Sequence, residues 1–472
     1  MERSEIKEKE TQYLVGESKK NPDLFLRETF TDSPDFLEKI GIFFDGIENL
    51  PKGYLKLWPQ DFIVEEKSIN GELKTVTPGN LFDDKKTFFQ NDPTIYATLI
   101  KCKIPTFEAT KDLAEFLEIE PNQIRSAGIK DTDAITSQLI SIRGGDYKKL
   151  EYAHSPHYLL KNIYSGKGAI EVGSLQGNKF TILIRTNNSF DKEQFKKDLA
   201  ERQKNGFYNF FYLQRFGTPR LINWFWGLLI FRGDYKNAIY SFLCSEGQRE
   251  IQYFKNLRNE IKNNLENWEE VEKKLELFPL IMQNELKVIR HLKKNLDDYI
   301  GALKQIPDQI KLWIFAYNSL LFNRKLSEYI AEGHTLPEKL PLFLSNDKND
   351  WVPYHDFLKS DGIDSLFPKN IKPFTDIQWK KREIKTKIKA EVYKTKFVPE
   401  GVIMSFYLSK GCYATTFLSH FFQLQTGLPP KDISKNIIDT KQLLGEEPIT
   451  DLIERFKNVT FSKSEDIFGK TE

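Results

Sequence analysis

One segment, Gly128–Gln138, combines the residue types in this chain that are best suited to covalent chemistry. Gly-Ile-Lys-Asp predicts a turn, and the β-branched alternation after Ala134 predicts a strand. Asp131 therefore lies at a loop-to-strand junction beside Lys130. A nearby cation keeps an aspartate ionised, which suits a nucleophile better than a general acid. A turn aspartate that only accepts backbone N–H groups is the alternative that the spacing leaves open.

Two further segments offer aromatic rings next to polar groups. Tyr208–Gly217 places five rings around Asn209, one glutamine and one arginine, which suits stacking against an unpaired base. A buried strand of a sandwich core would show a similar pattern. Gly401–Thr415 predicts a strand, a glycine turn and a helix start with Tyr413 at its head, although the pattern by itself favours an ordinary packing tyrosine.

The segment 380–396 alternates Lys and Arg with Ile and Val. It predicts either a face that contacts phosphates or a solvated lysine strand that protects a sheet edge. The six histidines show no metal-ligand spacing, and the chain contains no glycine-rich nucleotide loop and no nucleophile elbow. The sequence therefore indicates neither a metal nor a cofactor.

These segments must be positioned by a chain of 472 residues in which 69 Lys and Arg balance 67 Asp and Glu. That balance excludes a polycationic arm and an acidic disordered chain. Three distant cysteines, no secretory signal and no long apolar run predict a soluble, cytoplasmic protein without a membrane partner.

Short β-type runs dominate from Gly53 to about residue 216 and return after Val402, whereas helical spacing dominates from about residue 234. The pattern predicts an α+β fold in which a mixed or antiparallel sheet is interrupted by a helical insertion. Three elements next to the candidate residues are expected as follows: a strand at Tyr208–Phe216, an apolar helix at Trp313–Leu326 and a helix at Ala414–Leu424.

Taken in order, these segments resemble the tRNA pseudouridine synthase D (TruD) family. The family signature Gly-X-Lys-Asp-x-x-Ala-x-Thr-x-Gln is met at every fixed position of Gly128–Gln138. The other family motifs are matched at Leu55–Glu66, Gly173–Phe180, Asn209–Gly217, Ala316–Arg324 and Lys410–Thr415.

The resemblance implies a pseudouridine synthase catalytic domain with a mixed antiparallel sheet, interrupted by an inserted, mainly helical α/β TRUD domain. The expected bounds are an N-terminal extension at 1–50, a catalytic domain at 51–235 and 389–430, the insertion at 236–388 and a C-terminal tail at 431–472.

The resemblance also assigns roles to site residues: Asp131 and Lys56 are catalytic, and Asn209, Phe211, Tyr413 and Phe62 bind the substrate. It implies isomerisation of uridine to pseudouridine in tRNA, at uridine 13, without a cofactor. A monomer is expected because no heptad run is long enough to force association. Attack of the carboxylate on the sugar C1′ or on the base C6 is equally compatible. Tyr212 stands where the family commonly has Gly, so the loop after Phe211 is expected to bulge or reorient. The alternative function is a non-catalytic RNA-binding protein or RNA chaperone that keeps the fold.

Overall fold

A computed structural model describes the chain at residues 3–83, 93–153, 155–363, 367–374 and 380–460. The strands are β1 (Thr29–Thr31), β2 (Lys52–Tyr54), β3 (Phe62–Ser68), β4 (Thr94–Cys102), β5 (Ile124–Ser126), β6 (Ile135–Arg143), β7 (Tyr158–Gly166), β8 (Leu175–Arg185), β9 (Phe207–Tyr208), β10 (Lys339–Pro341), β11 (Glu383–Lys385), β12 (Lys387–Ile388), β13 (Glu391–Val398), β14 (Gly401–Ser409) and β15 (Gln423–Gly427). The α-helices are α1 (Arg3–Lys20), α2 (Pro34–Lys39), α3 (Thr106–Phe116), α4 (Lys192–Asn205), α5 (Asn223–Arg232), α6 (Tyr235–Cys244), α7 (Gln252–Lys262), α8 (Trp268–Leu275), α9 (Gln283–Lys294), α10 (Tyr299–Lys304), α11 (Pro307–Ala331), α12 (His355–Ser360), α13 (Phe367–Ile371), α14 (Ala414–Leu418), α15 (Thr440–Leu443), α16 (Thr450–Arg455) and α17 (Lys457–Thr460).

The described residues divide into two compact units, each discontinuous in sequence. The sheet unit contains residues 50–207 and 388–460, and the helical unit contains residues 3–49 and 208–387. The helical unit thus begins earlier than the predicted insertion and takes in most of the predicted N-terminal extension. Likewise, the described part of the predicted tail belongs to the sheet unit. Which segments form the catalytic domain stays a prediction.

The sheet unit is built on a mixed sheet with β8 as a central strand. β8 pairs antiparallel with the whole length of β14 on one side and antiparallel with β3 on its other side. β3 then pairs parallel with β6, and β6, β4 and β7 continue antiparallel. β15 and β2 form a second parallel pair. This arrangement confirms the predicted α+β class with a mixed, largely antiparallel sheet.

Helices cover the sheet with apolar side chains. α3 packs Leu113 against β4 and β6, whereas α16 packs Leu452 onto β3, β4 and β6. Ile449 and Phe456, which flank α16, are buried in the same cluster. The C-terminal segment, defined here as residues 431–460, therefore completes the core of the sheet unit.

Buried ion pairs hold the C-terminal segment in place. Arg185 on β8 donates to both carboxylate oxygens of Asp61, at 2.8 and 2.9 Å, and also to two backbone carbonyls of the C-terminal segment. Lys441 in α15 donates to both oxygens of Glu65 on β3, each at 2.9 Å. Such pairs are tolerated in a core only when their geometry is good and their hydrogen bonds are satisfied.

The helical unit packs around the long, largely buried helix α11, which includes the predicted helix Trp313–Leu326. Its neighbour α5 lies close because Gly227 faces the α11 backbone. A Cβ at Gly227 would lie 2.1 Å from the carbonyl oxygen of Trp313, so a larger residue would push the helices apart. No helix in the described ranges is long and apolar enough to cross a membrane.

Two sequence-based element predictions were wrong. The expected strand Tyr208–Phe216 ends at Tyr208 and continues as irregular chain with a short 3₁₀ helix, because distant parts of the chain take up its backbone hydrogen bonds. The expected helix Ala414–Leu424 ends at Leu418, and Gln423 begins β15 beside β2. In the second case a parallel strand pairing overrides the local helical pattern.

Candidate active site

The parallel pair β3–β6 brings two loops to one edge of the sheet. Ile63 on β3 lies opposite Ile135 on β6, so the segments that precede both strands emerge at the same edge. One of them carries Lys56, and the other is the loop 127–134 with Asp131. Residues that are 75 positions apart in sequence therefore meet.

Lys56 and Asp131 form a direct ion pair. The Lys56 Nζ lies 2.5 Å from the Asp131 Oδ1. The Asp131 side chain is 38% exposed, so a ligand can reach it. Its second oxygen, Oδ2, accepts no hydrogen bond from the described residues. The Asp131 carboxylate is thus paired with a cation through one oxygen and keeps its other oxygen free of hydrogen bonds from the described residues. A carboxylate nucleophile requires both features.

Phe62 also contacts the Lys56 ammonium. The Lys56 Nζ lies 4.3 Å from the centre of the Phe62 ring, which is a cation–π contact. The ring is only 2% exposed. Lys56 itself adopts a left-handed backbone with φ of 59°. Because a non-glycine residue in this region is strained, its surroundings must hold it there.

A buried lysine that the sequence analysis did not single out holds the backbone of the Asp131 loop. The Lys101 Nζ donates to the carbonyl oxygens of Asp131 at 2.5 Å, Ile104 at 2.9 Å and Lys130 at 3.3 Å. Burial lowers the pKa of the Lys101 ammonium to about 8. The only sequence signal was a lysine between the apolar residues Ile100 and Cys102 of strand β4.

The Lys130 side chain points away from Asp131. Its Nζ pairs with Glu66 Oε2 at 2.6 Å, and both side chains are buried. Its backbone N–H donates to the hydroxyl of Thr106 at 3.0 Å. The cation on Asp131 is thus Lys56 rather than its sequence neighbour, and Lys130 anchors the loop.

Tyr413 lies immediately before α14 and is half-buried. Its side chain makes no hydrogen bond or ring contact with the described residues. A row of aromatic rings connects α14 to Phe62: the ring of Phe417 lies 4.8 Å from that of Phe406, which lies 5.3 Å from Phe180, and Phe180 lies 6.3 Å edge-on from Phe62. Lys56 therefore contacts both Phe62 and Asp131, whereas no contact among the described residues joins Tyr413 to any of the three.

Asn209 lies in the helical unit, in the segment that follows β9. Its backbone N–H donates to the carbonyl of Thr386, and its Nδ2 donates to the carbonyl of Lys385, both at 2.9 Å. These bonds fix the amide so that Oδ1 faces away from Lys385. Oδ1 accepts no hydrogen bond within the described ranges, so it is available to an N–H of a ligand.

Phe211 is held by an asparagine from the family-like helix motif. Asn323 on α11 accepts from the Phe211 N–H at 2.9 Å and donates to its carbonyl at 2.8 Å. The ring packs edge-on against Phe322 and lies 5.2 Å from the Arg215 guanidinium carbon. The two hydrogen bonds from Asn323 fix the backbone of Phe211, and the Phe211 ring stays half-buried.

Tyr212 stands at the position where the family commonly has Gly. Its backbone is not in the left-handed region that favours glycine, since its φ is −101°. Its hydroxyl donates to Asp32 Oδ2 at 2.6 Å, and Asp32 also pairs with Arg249. Residues 3–49 thus supply the partner that this tyrosine needs. The sequence contained no signal for that long-range contact.

The basic segment 380–396 is divided between the two units, and its second half forms most of β13, an edge strand of the sheet unit. β13 pairs only with β14 among the described strands. Lys394 and Lys396 donate to the carbonyls of Leu444 and Leu443 at the end of α15, at 3.0 and 2.7 Å. These two lysines satisfy carbonyls at the end of a helix, a role that neither of the two predictions for this segment included. In the described ranges, no group of three His, Cys, Asp or Glu side chains could hold a metal ion.

Comparisons with known proteins agree on one family. The family model "tRNA pseudouridine synthase D (TruD)" matches residues 48–350. A protein of Methanococcus aeolicus named "Probable tRNA pseudouridine synthase D" is 28% identical over 394 residues, which cover 78% of this chain and 94% of the relative. A protein of the same name from Thermococcus onnurineus is 30% identical over 334 residues, covering 70% and 72%.

A Methanosarcina barkeri protein of the same name is 31% identical over 246 residues, and the match spans 55% of its length. The fold has a counterpart among solved structures. A crystal structure titled as the putative tRNA pseudouridine synthase D (TruD) from Methanosarcina mazei superposes with a TM-score of 0.62. The match covers 83% of this chain and 98% of the other, at 22% identity. At that identity the likeness supports the fold alone.

Proposed function

Because the chain belongs to the tRNA pseudouridine synthase D family, we propose that it isomerises uridine to pseudouridine in tRNA, at uridine 13. Asp131 is the nucleophile of this reaction, Lys56 is its cationic partner, and no cofactor takes part. The observation that carries the proposal is the ion pair between Lys56 and Asp131, in which Oδ2 stays open. The reaction takes place in the cytoplasm, and the enzyme acts as a monomer.

The chemistry requires only a nucleophile and a means to hold the base. The C1′–N1 bond breaks, the uracil turns, and a C1′–C5 bond forms. The proton on C5 is lost and N1 gains one, so the product is an isomer and no electrons are exchanged. Asp131 supplies an electron pair to C1′ or to C6 and recovers it when the intermediate collapses. The Lys56 ammonium stabilises the carboxylate each time that it is released.

The target base must first leave the stack, which costs a few kcal/mol. Stacking on aromatic side chains offsets about 1–3 kcal/mol per base. Phe211 and Tyr413 supply these rings, and the Asn209 Oδ1 accepts the N3–H of uracil. Phe62 acts on the substrate through Lys56, since its ring is buried under the ammonium.

The test is pseudouridine mapping by carbodiimide adduct and primer extension on tRNA, with the wild type and two matched variants. Asp131→Asn abolishes the product while tRNA affinity stays within a few-fold. Asp133→Asn makes the same chemical change two residues further along the same loop, at a side chain that is 62% exposed, and keeps the activity. Pseudouridine from Asp131→Asn would refute the nucleophile assignment.

The same experiment separates the alternative function, an RNA-binding protein without catalysis. Such a protein would bind tRNA with a steep salt dependence and leave every uridine unmodified. The position of the primer-extension stop reports which uridine is modified, so a stop elsewhere than at uridine 13 would correct the site but not the reaction.

A further inference from the structure

The Asp131 loop presents an apolar side chain to solvent. Ile129, two residues before Asp131, is 85% exposed. Single exposed apolar residues are common on protein surfaces and carry little meaning alone. The position of Ile129 is unusual because the backbone around it is firmly held.

Each neighbour of Ile129 in the loop is anchored. The Gly128 carbonyl accepts from the Ser126 hydroxyl and from Gln138 Nε2, at 3.3 and 3.4 Å. The backbone of Lys130 is bonded at both its N–H and its carbonyl. Ile129 is thus a rigidly mounted apolar tip rather than part of a loose surface loop.

A second apolar tip lies on the adjoining loop between β7 and β8. Val172 is 90% exposed, whereas Ile170 and Leu175 on either side are buried together with Ala127. The Gly173 N–H donates to the Ala127 carbonyl at 2.7 Å, which ties this loop to the Asp131 loop. The two exposed side chains therefore belong to two loops that share one buried base.

The space and charge around the tips suit a nucleic acid. A Cβ added at Gly128 or at Gly173 would meet no heavy atom within 4 Å among the described residues, so both tips border open space. Arg125 is exposed on β5, and the exposed Lys410 places its ammonium 3.2 Å from the Gly173 carbonyl. Cations beside an apolar surface favour a partner that carries phosphates next to flat apolar faces, as stacked bases do.

We propose that Ile129 and Val172 form an apolar wedge that contacts the bases flanking the target uridine and fills the gap when that uridine turns out of the stack. The inference rests on the proposed function and adds a contact for the neighbours of the target. Apolar wedges inserted between base steps are a general way of compensating lost stacking. The wedge acts before the chemistry, so it matters only where the target is stacked or paired.

Two RNA substrates of one sequence test the wedge. In the first, the target uridine is paired within a helix; in the second, the opposite strand is removed so that the uridine is already free. For Ile129→Ala and Val172→Ala, single-turnover kcat/KM on the paired substrate falls by about tenfold and on the free substrate by less than about twofold, given typical stacking energies. Ile437→Ala, which also truncates an exposed isoleucine of the sheet unit, changes neither.

A second readout does not need turnover. A 2-aminopurine placed next to the target uridine brightens when Asp131→Asn protein binds and the uridine leaves the stack. Adding Ile129→Ala to that protein abolishes the increase, whereas adding Ile437→Ala does not. Equal losses on both RNA substrates, or an unchanged fluorescence increase, would overturn the wedge. Absence of pseudouridine from the wild type on the free substrate would instead overturn the proposed function.

Discussion

Replacing Lys101 by Met tests how the Asp131 loop is held. Methionine keeps the length of the side chain but removes donors to three carbonyls, of which one is buried and two are partly buried. An unsatisfied buried group costs about 1–3 kcal/mol. Against this, burial lowers the pKa of Lys101 from 10.5 to about 8, so loss of the ammonium relieves about 3 kcal/mol at 1.36 kcal/mol per pH unit. We expect Lys101→Met to lower the free energy of unfolding by about 2 kcal/mol at pH 7.

The free energy of unfolding of the wild type should depend on pH in a way that the variant does not share. Between pH 8 and 10.5 the unfolded chain keeps a proton on Lys101 that the folded chain has released, so wild-type stability rises with pH over that window. Met cannot titrate. The difference in unfolding free energy between wild type and variant should therefore grow by about 2.5 kcal/mol from pH 7 to pH 10.

Urea unfolding of both proteins at pH 7, 8.5 and 10 measures the difference directly. Taking the difference removes the titration of groups that the two proteins share. A parallel assay on tRNA should show a large fall in kcat with KM nearly unchanged, because the loosened Asp131 no longer sits against Lys56. A stability difference that stays constant with pH would refute the inference that Lys101 is buried as a destabilised ammonium.

Three further predictions concern packing. Asn323→Ala should destabilise the protein by about 3 kcal/mol and raise KM for tRNA, since it leaves one buried and two partly buried backbone groups without partners; an unchanged KM would contradict the role of Asn323 in positioning Phe211. Arg185→Met should cost about 3–5 kcal/mol in thermal unfolding because it strands a buried carboxylate, and adding Asp61→Leu should recover most of the loss. Phe456→Ala should cost about 3–5 kcal/mol, whereas Ile437→Ala should change stability by less than about 0.5 kcal/mol; equal effects would mean that residues 431–460 do not complete the core.

The sequence was informative where local pattern and chemistry coincide. The motif around Asp131 indicated a loop before a strand, and the apolar periodicity of Trp313–Leu326 indicated a helix; both follow from rules that act over a few residues. The meeting of Lys56 and Asp131 needed the family resemblance, because nothing within either segment indicates that β3 and β6 pair in parallel.

Hydrogen bonds between residues that are distant in sequence could not be predicted from local patterns. Lys101 follows the apolar run Leu99–Ile100 of β4, where the sequence predicts a hydrophobic residue, and only the fold shows that three loop carbonyls surround its ammonium. Tyr208–Phe216 has strand-like composition, but its backbone is bonded by Asn323, 112 positions away, and by residues of the 380s. Such partners are fixed by tertiary packing rather than by neighbours in sequence.

The interleaving of the two units has a consequence for synthesis on the ribosome. All of the described helical unit has been made once residue 387 has emerged, whereas β8 must wait for β14 to cover its edge. At about 5–20 residues per second, the roughly 200 residues between those strands take about 10–40 s to make. During that interval the newborn sheet exposes the unpaired edge of β8, which carries Phe180, Ile182 and Ile184, and an unpaired strand edge of this kind recruits other chains. Slow translation or a scarcity of chaperones should therefore harm this protein through the β8 edge before it harms the helices.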